Sequence, residues 1–112
     1  MSEVAKQSSE VSLNKVILIG SLTREPEVRE TSEHKKFVVL EVLTTETKGN
    51  GTIRCTKHLV KVFGKKADIV ATYRPGDVVK IEGKLCTDEW RDHTSGRDRK
   101  STYVDGVDVI RF

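Results

Sequence analysis

The residues best suited to chemistry are lysines that alternate with apolar side chains near the middle of the chain. Lys57 and Lys61 share their spacing with Leu59 and Phe63, each two positions from the next. Because successive side chains of a β-strand point to opposite faces, these four are expected on one face and His58 on the other. A face with ammonium groups beside an aromatic ring suits phosphates and unpaired bases, without requiring sequence preference.

The single tryptophan, Trp90, lies in a second charged stretch, VVKIEGKLCTDEW. Alternation there predicts one side that faces the core, formed by Val79, Ile81, Gly83 and Leu85. The other side carries Lys84 and Trp90, so the indole is expected outside the core. One base–aromatic stack is worth roughly 1–3 kcal/mol, enough for nucleic-acid binding alone to maintain an exposed tryptophan.

Each of these features also has a structural interpretation. Trp90 could cap one end of the fold or fill a subunit contact, and Phe63 could be a core residue at a strand end. Lysines most often form a solvated surface, and only the face that Lys57 and Lys61 share with apolar side chains distinguishes these two from ordinary surface lysines. His58 is interpreted as a packed or subunit-interface residue, because no Ser or Cys nucleophile with a base partner accompanies it.

The sequence contains no motif of an enzyme or a metalloprotein. It lacks phosphate-binding glycine loops and calcium-loop spacing, and Cys55 and Cys86 do not form a CxxC pair. We therefore predict no catalytic residue, no metal and no cofactor. Two isolated thiols and an N-terminus without an apolar signal core favour a reducing compartment.

Composition is typical of a small protein with a large charged surface. The 112 residues are 36% hydrophobic and 33% charged, with a net charge of +3. This length suits one domain, the mild positive charge permits an anionic partner, and no apolar run is long enough to predict membrane insertion.

The strand and turn patterns predict an all-β protein with one short helix. Residues 1–12 are polar and expected to be flexible, and the domain is expected to span 13–112. Residues 24–27 read as a turn, Asn50-Gly51 as a tight hairpin reversal, and Gly106 as a bulge. The predicted order is strands at 13–20, 36–45 and 52–64, a helix at 65–73, and strands at 78–91 and 101–112. This is the order of a five-stranded OB-fold barrel.

Four segments together resemble one family. LNKVILIGSLTREPEVRET, VKVFGK, KIEGKL and EWRDHTSGRDR are similar to the bacterial and mitochondrial single-stranded DNA-binding proteins, over about residues 13–112. The resemblance implies an OB fold that assembles as a homotetramer and coats single-stranded DNA during replication, recombination and repair, without catalysis or cofactor. Replication proteins are further implied partners.

The resemblance also assigns roles to individual residues. Trp90 and Phe63 align with base-stacking aromatics, Lys65 with a basic residue near the DNA path, and His58 with a histidine at the subunit contact. With the charge pattern, the predicted DNA-binding residues are Trp90, Phe63, Lys57, Lys61, Lys65, Lys48, Lys84, Arg54 and Arg91, and the predicted interface residue is His58.

The sequence departs from the family near these positions. Lys48 and Lys57 stand where the family usually has tryptophan, and Cys86, Asp88 and Glu89 occupy positions that are usually basic. Tight wrapping of DNA is therefore not implied. The alternative function is an OB-fold protein-interaction subunit, primosome-like, or an RNA-binding subunit, with weak affinity for single-stranded DNA.

Features at the two ends of the chain bear on the cellular compartment. Bacterial members carry a long acidic-tipped tail, whereas this sequence ends at DVIRF, and SSEVSLNKV resembles the short extension of processed mitochondrial members. The expected location is the mitochondrial matrix or nucleoid, with the bacterial cytoplasm as the alternative.

Overall fold

A computed structural model describes residues 11–112, so most of the segment predicted to be flexible, residues 1–10, lies outside the described residues. The order of the main elements is as predicted. The elements are β1 (Val16–Leu22), β2 (Glu27–Glu30), β3 (Lys36–Thr47), β4 (Ile53–Phe63), α1 (Lys65–Val70), β5 (Val78–Arg91) and β6 (Asp98–Arg111). Some bounds differ: β1 begins at Val16 rather than residue 13, β6 begins at Asp98 rather than residue 101, and the helix ends at Val70 rather than residue 73. A short strand that was not predicted, β2, follows the turn expected at 24–27.

The strands close into a barrel. The order around it is β1, β5, β6, β4 and β3, and β1 returns to β3 through the pairs Ser21 with Leu43 and Leu22 with Val42. Strand β6 lies parallel to β4, where Val60 pairs with Val104. Strand β2 pairs with the outer edge of β3. This strand order, closed by the pairing of β1 with β3, confirms the predicted five-stranded OB barrel.

The core fills the barrel with alternate side chains from each strand. Its largest fully buried members are Leu22, Leu40, Ile81, Val38, Val42, Val60, Val62, Val70 and Val79. Helix α1 contributes Ala67 and Val70, at three-residue spacing, to the same cluster. Helix α1, with six residues, is far too short to span a bilayer, and no helix in residues 11–112 is long and apolar enough to do so.

A bulge interrupts β6 near the predicted position. Glu82 pairs with Asp108, whereas the next residue, Gly83, pairs with Gly106, so Val107 has no partner across the ladder. The strands approach closely there: a Cβ atom on Gly83 would lie 2.0 Å from the main-chain oxygen of Asp105. Only glycine, which has no Cβ atom, therefore fits at position 83, where β5 and β6 approach each other closely.

Beyond the bulge, β5 and β6 continue as a hairpin, which we call the arm (residues 84–91 and 98–105); its base still pairs with β4 through Val104 and Asp105, and the rest is a two-stranded ribbon. Leu85 was expected in the core, but it is 50% exposed. The reason is that β1 pairs with β5 only as far as Gly83, so the arm leaves the barrel before Leu85 can be covered. At that point the side chain of Asn14 replaces the main-chain hydrogen bonds of β1: it donates to the oxygen of Leu85 and accepts from the N–H of Leu85, each at 2.8 Å.

Candidate nucleic-acid interface

Two phenylalanines form an aromatic pair on the outer side of the barrel. Phe37 on β3 lies directly opposite Phe63 on β4, and their ring centroids are 4.9 Å apart with an interplanar angle of 22°. Phe63 is 41% exposed, so its ring stacks on protein while remaining open to solvent. A ring supported on one side and accessible on the other is suited to stack on a base.

Lys61 connects this pair to the arm. Its Nζ atom lies 4.2 Å from the ring centroid of Tyr103 and 5.8 Å from that of Phe37, distances typical of cation–π contacts. The same atom lies 2.8 Å from Oδ2 of Asp88. These residues come from β3, β4, β5 and β6, because strand pairing places their outward side chains next to one another.

The phenol of Tyr103 has a perturbed acidity. Partial burial raises its pKa above the usual value, and the negative charges of Asp88 and Asp105 and the thiol of Cys86 raise it further. Each cause disfavours the phenolate. Tyr103 therefore remains a neutral aromatic ring over the physiological pH range.

Trp90 extends the same surface along the arm. It pairs with Arg99 and, by alternation, lies on the face of Asp88, about 7 Å further along the strand. The side chain is 49% exposed, as expected for a tryptophan outside the core. We call the surface formed by Phe37, Phe63, Lys61, Tyr103, Asp88 and Trp90 the binding face.

A shallow cavity of about 310 Å³ lies beside Phe63 at the end of the binding face away from the arm. Lys35, Lys36, Gly64 and Asp68 line the rest of it. Lys36 donates to Asp68 at 3.2 Å, and both side chains are largely exposed. The cavity therefore adds ammonium groups next to an accessible aromatic ring.

The structure brings several of the predicted site residues together. Lys57, Lys61 and Phe63 share the outer side of β4. Lys65 is exposed at the start of α1, one glycine after Phe63. Lys84 lies opposite Asp105 on the arm, on the same side as Trp90 by alternation.

Other predicted residues lie apart. Arg54 falls on the face of β4 opposite to Lys57, and Lys48 is in the β3–β4 turn, exposed to solvent. Arg91 points away from Trp90 by alternation, and its guanidinium lies 3.4 Å from Asp98. His58 is partly buried, with Nε2 at 2.8 Å from the hydroxyl of Thr44. Their roles at a DNA or subunit contact stay predictions.

Phe37 and Tyr103 were missed by the sequence analysis. For Phe37 the sequence offers only the Asn-Gly turn, which marks the hairpin but leaves its register open: in the structure the main-chain N–H of Lys48 donates to the oxygen of Thr52, and counting outwards from that pair places Phe37 opposite Phe63. For Tyr103 the signal was weaker, since a six-residue loop joins β5 to β6 and does not fix their register.

No group of three metal-ligating side chains occurs within residues 11–112. Cys55 is exposed and Cys86 partly buried, and both are free thiols. The chemistry of the face is therefore that of rings, ammonium groups and carboxylates.

Comparison with known proteins gives a consistent picture. The model of the single-strand binding protein family matches residues 13–112. The chain is 37% identical over 102 residues to single-stranded DNA-binding protein 1 of Chlorobaculum tepidum, covering 87% of this chain and 63% of that protein. It is 41% identical over 100 residues to the single-stranded DNA-binding protein of Rickettsia typhi, covering 83% and 65%. It thus spans slightly less than two thirds of these relatives.

A solved structure shares the fold. The Plasmodium falciparum SSB complex with ssDNA superposes with a TM-score of 0.78 at 24% identity, covering 93% of this chain and 98% of that one. At this identity the likeness establishes the barrel architecture.

Proposed function

The chain belongs to the single-strand binding protein family, and from this premise we propose that it binds single-stranded DNA without sequence preference, coating and protecting it during replication, recombination and repair. The observation that supports the proposal is the binding face, where Phe63 and Trp90 expose aromatic surface on either side of Lys61. The role requires no catalysis and no cofactor.

The geometry favours unpaired over paired nucleic acid. Phe63 is 41% and Trp90 49% exposed, so a base can reach each ring only if it is not already stacked inside a duplex. Ammonium groups of Lys57, Lys61 and Lys84 on the same side can neutralise phosphates, which every sequence presents equally. Such a face distinguishes strandedness rather than base identity.

The test is to titrate a labelled oligothymidine and a duplex of equal length with the protein at several salt concentrations. We expect tighter binding of the single strand, and log affinity that falls linearly with log salt because counterions are released. Equal affinity for the duplex would contradict the proposal. A matched uridine oligomer in the same titration tests the RNA-binding alternative, since stacking alone does not separate DNA from RNA.

A protein-interaction function is the second candidate, because the binding face and the cavity beside it also carry carboxylates. Asp88 lies 2.8 Å from Lys61, and Asp68 lies 3.2 Å from Lys36, so two cations already have anionic partners. A pull-down that finds a tight protein partner, together with no oligothymidine binding, would favour this candidate. Replication proteins are the class of partner proposed.

We further propose that the protein assembles as a homotetramer. Ile17, Ile19 and Ile110 are about half exposed on a neighbouring outer face, around the ion pair of Lys80 with Glu82. In the described residues, β1 pairs with β5 along one edge, and its other edge meets β3 only at Ser21 and Leu22. An apolar face beside an open strand edge favours contact with another copy. Light scattering should give four times the chain mass.

We also propose a cellular location for the protein, either the mitochondrial matrix or nucleoid, or the bacterial cytoplasm. The relatives from Chlorobaculum and Rickettsia are bacterial proteins, which is compatible with the bacterial cytoplasm. The resemblance to mitochondrial members supports the mitochondrial matrix or nucleoid. Imaging a tagged protein together with a DNA stain in the source cell distinguishes these locations.

A further inference from the structure

Lys61, the cation at the centre of the binding face, already has an anionic partner in the same chain. Its Nζ atom donates to Oδ2 of Asp88 at 2.8 Å, and the rings of Tyr103 and Phe37 flank it. Only 18% of the Lys61 side chain is exposed, so the ammonium group is held in place rather than extended into solvent. An N–H donated to an anionic oxygen is also the contact that a phosphate oxygen would make.

Asp88 lies where a bound strand would pass. It precedes Trp90 by two positions on the same face of the arm, and its carboxylate reaches across to Lys61 on β4. Phe63 is two positions beyond Lys61 on β4. A DNA strand whose bases stack on both Phe63 and Trp90 would therefore cross the Lys61–Asp88 pair.

From this arrangement, and resting on the proposed function, we propose that Asp88 is an intramolecular competitor of phosphate. In the free protein its carboxylate occupies Lys61, and a nucleic-acid phosphate must displace it before Lys61 can contribute to binding. The carboxylate thereby lowers affinity and reduces the number of phosphate charges that the protein neutralises. Asp88 thus sets the affinity for single-stranded DNA and the ease with which the DNA dissociates.

Other carboxylates near the face do not have this position. Asp105 lies opposite Lys61 and Lys84 in the strand ladders, but within residues 11–112 its carboxylate forms no ion pair with either ammonium group. Glu89 follows directly in sequence but lies on the opposite side of the arm, across from Lys100. Asp68 pairs with Lys36, whose side chain is 55% exposed and free to reorient at little cost. Asp88 alone among these four carboxylates pairs with a mostly covered lysine and lies between the two accessible rings.

The experiment compares Asp88→Asn with Glu89→Gln in binding of oligothymidine. Both variants remove one negative charge from adjacent residues while conserving side-chain shape. Since a unit charge about 4 Å away is worth about a fivefold change in affinity even in water, we expect Asp88→Asn to bind about fivefold more tightly at low salt. Its slope of log affinity against log salt should steepen by about 0.7, one additional phosphate contact on a single strand. Glu89→Gln should change affinity by less than about twofold.

A second pair of variants tests whether the effect acts through Lys61. In a Lys61→Gln background, Asp88→Asn should gain no more than Glu89→Gln does, because no ammonium group is released. Circular dichroism must show that each variant is folded, and Asp88→Ser replaces Asp88→Asn if the latter is not. A gain that persists without Lys61 would overturn the proposal.

The remaining outcomes separate this inference from the function on which it rests. If the wild type binds oligothymidine but Asp88→Asn and Glu89→Gln behave alike, the inference is wrong and the proposed function stands. If the folded wild type and every variant fail to bind, the proposed function is wrong and the inference falls with it.

Discussion

Replacement of Trp90 by alanine should weaken binding of single-stranded DNA while leaving the protein folded. Trp90 is 49% exposed, so roughly half of its surface is available to a base. Loss of one base–aromatic stack costs about 1–3 kcal/mol, which corresponds to a decrease in affinity of about 5-fold to 150-fold. The half that is buried, about 100 Å², sets an upper limit of about 2.5 kcal/mol on the loss of folding stability.

The assay is fluorescence anisotropy of a labelled oligothymidine, because the variant lacks the only tryptophan of the chain. Measurement at 25 °C, with circular dichroism at the same temperature, ensures that the folded protein is compared. Phe112→Ala is the matched control: Phe112 is 69% exposed and lies just beyond the end of β6, away from the binding face. The wild type should also show quenching of its indole fluorescence on binding.

The reasoning would be refuted by a Trp90→Ala protein that is folded and binds oligothymidine within twofold of the wild type. That result would assign the indole to structure, such as a subunit contact. A similar loss in the Phe112 control would show that exposed aromatics contribute without regard to position.

Three further outcomes are expected. Phe63→Ala should weaken DNA binding by about 1–3 kcal/mol, and urea unfolding should show a lower free energy of unfolding: loss of the ring contact with Phe37 costs about 0.5–1.5 kcal/mol, and loss of the buried part of the Phe63 ring adds to it. Tyr103 should ionise above pH 10.0 in an absorbance titration, and Asp88→Asn should lower the pKa of Tyr103. Because this pKa is raised in the folded protein, the stability contributed by the neutral phenol is complete below the pKa of the unfolded state and is lost as the pH rises through the pKa of the folded state. Gly83→Ala, whose Cβ would meet a main-chain oxygen at 2.0 Å, should cost about 3 kcal/mol in urea unfolding, whereas Gly49→Ala, with no atom within 4 Å, should be nearly neutral.

The architecture was predictable, apart from the short strand β2, because each of the five barrel strands is marked by its own local pattern. The run Val16–Leu22, the Asn50-Gly51 turn and the spacing of Ala67 and Val70 each indicate an element without reference to the rest of the chain. Alternation also placed Phe63 and Trp90 outside the core correctly, since period two persists wherever no bulge intervenes.

The parts that escaped prediction depend on where strands end relative to one another. Leu85 has the alternation of a core residue, and only the end of pairing between β1 and β5 at Gly83 reveals that nothing covers it. The contact of Lys61 with Asp88 joins residues 27 positions apart on strands that do not pair with each other. No local pattern encodes such a distance, because it follows from the closure of the barrel.

The two hydrogen bonds between Asn14 and Leu85 have a consequence for solubility. The register that pairs Val16 with Gly83 would place Asn14 opposite Leu85, and there a side-chain amide substitutes for the peptide group of a longer strand. The N–H and oxygen of Leu85 are thereby unavailable to a foreign polypeptide seeking a template for β-addition. A single carboxamide thus blocks β-addition at the point where β1 stops covering β5.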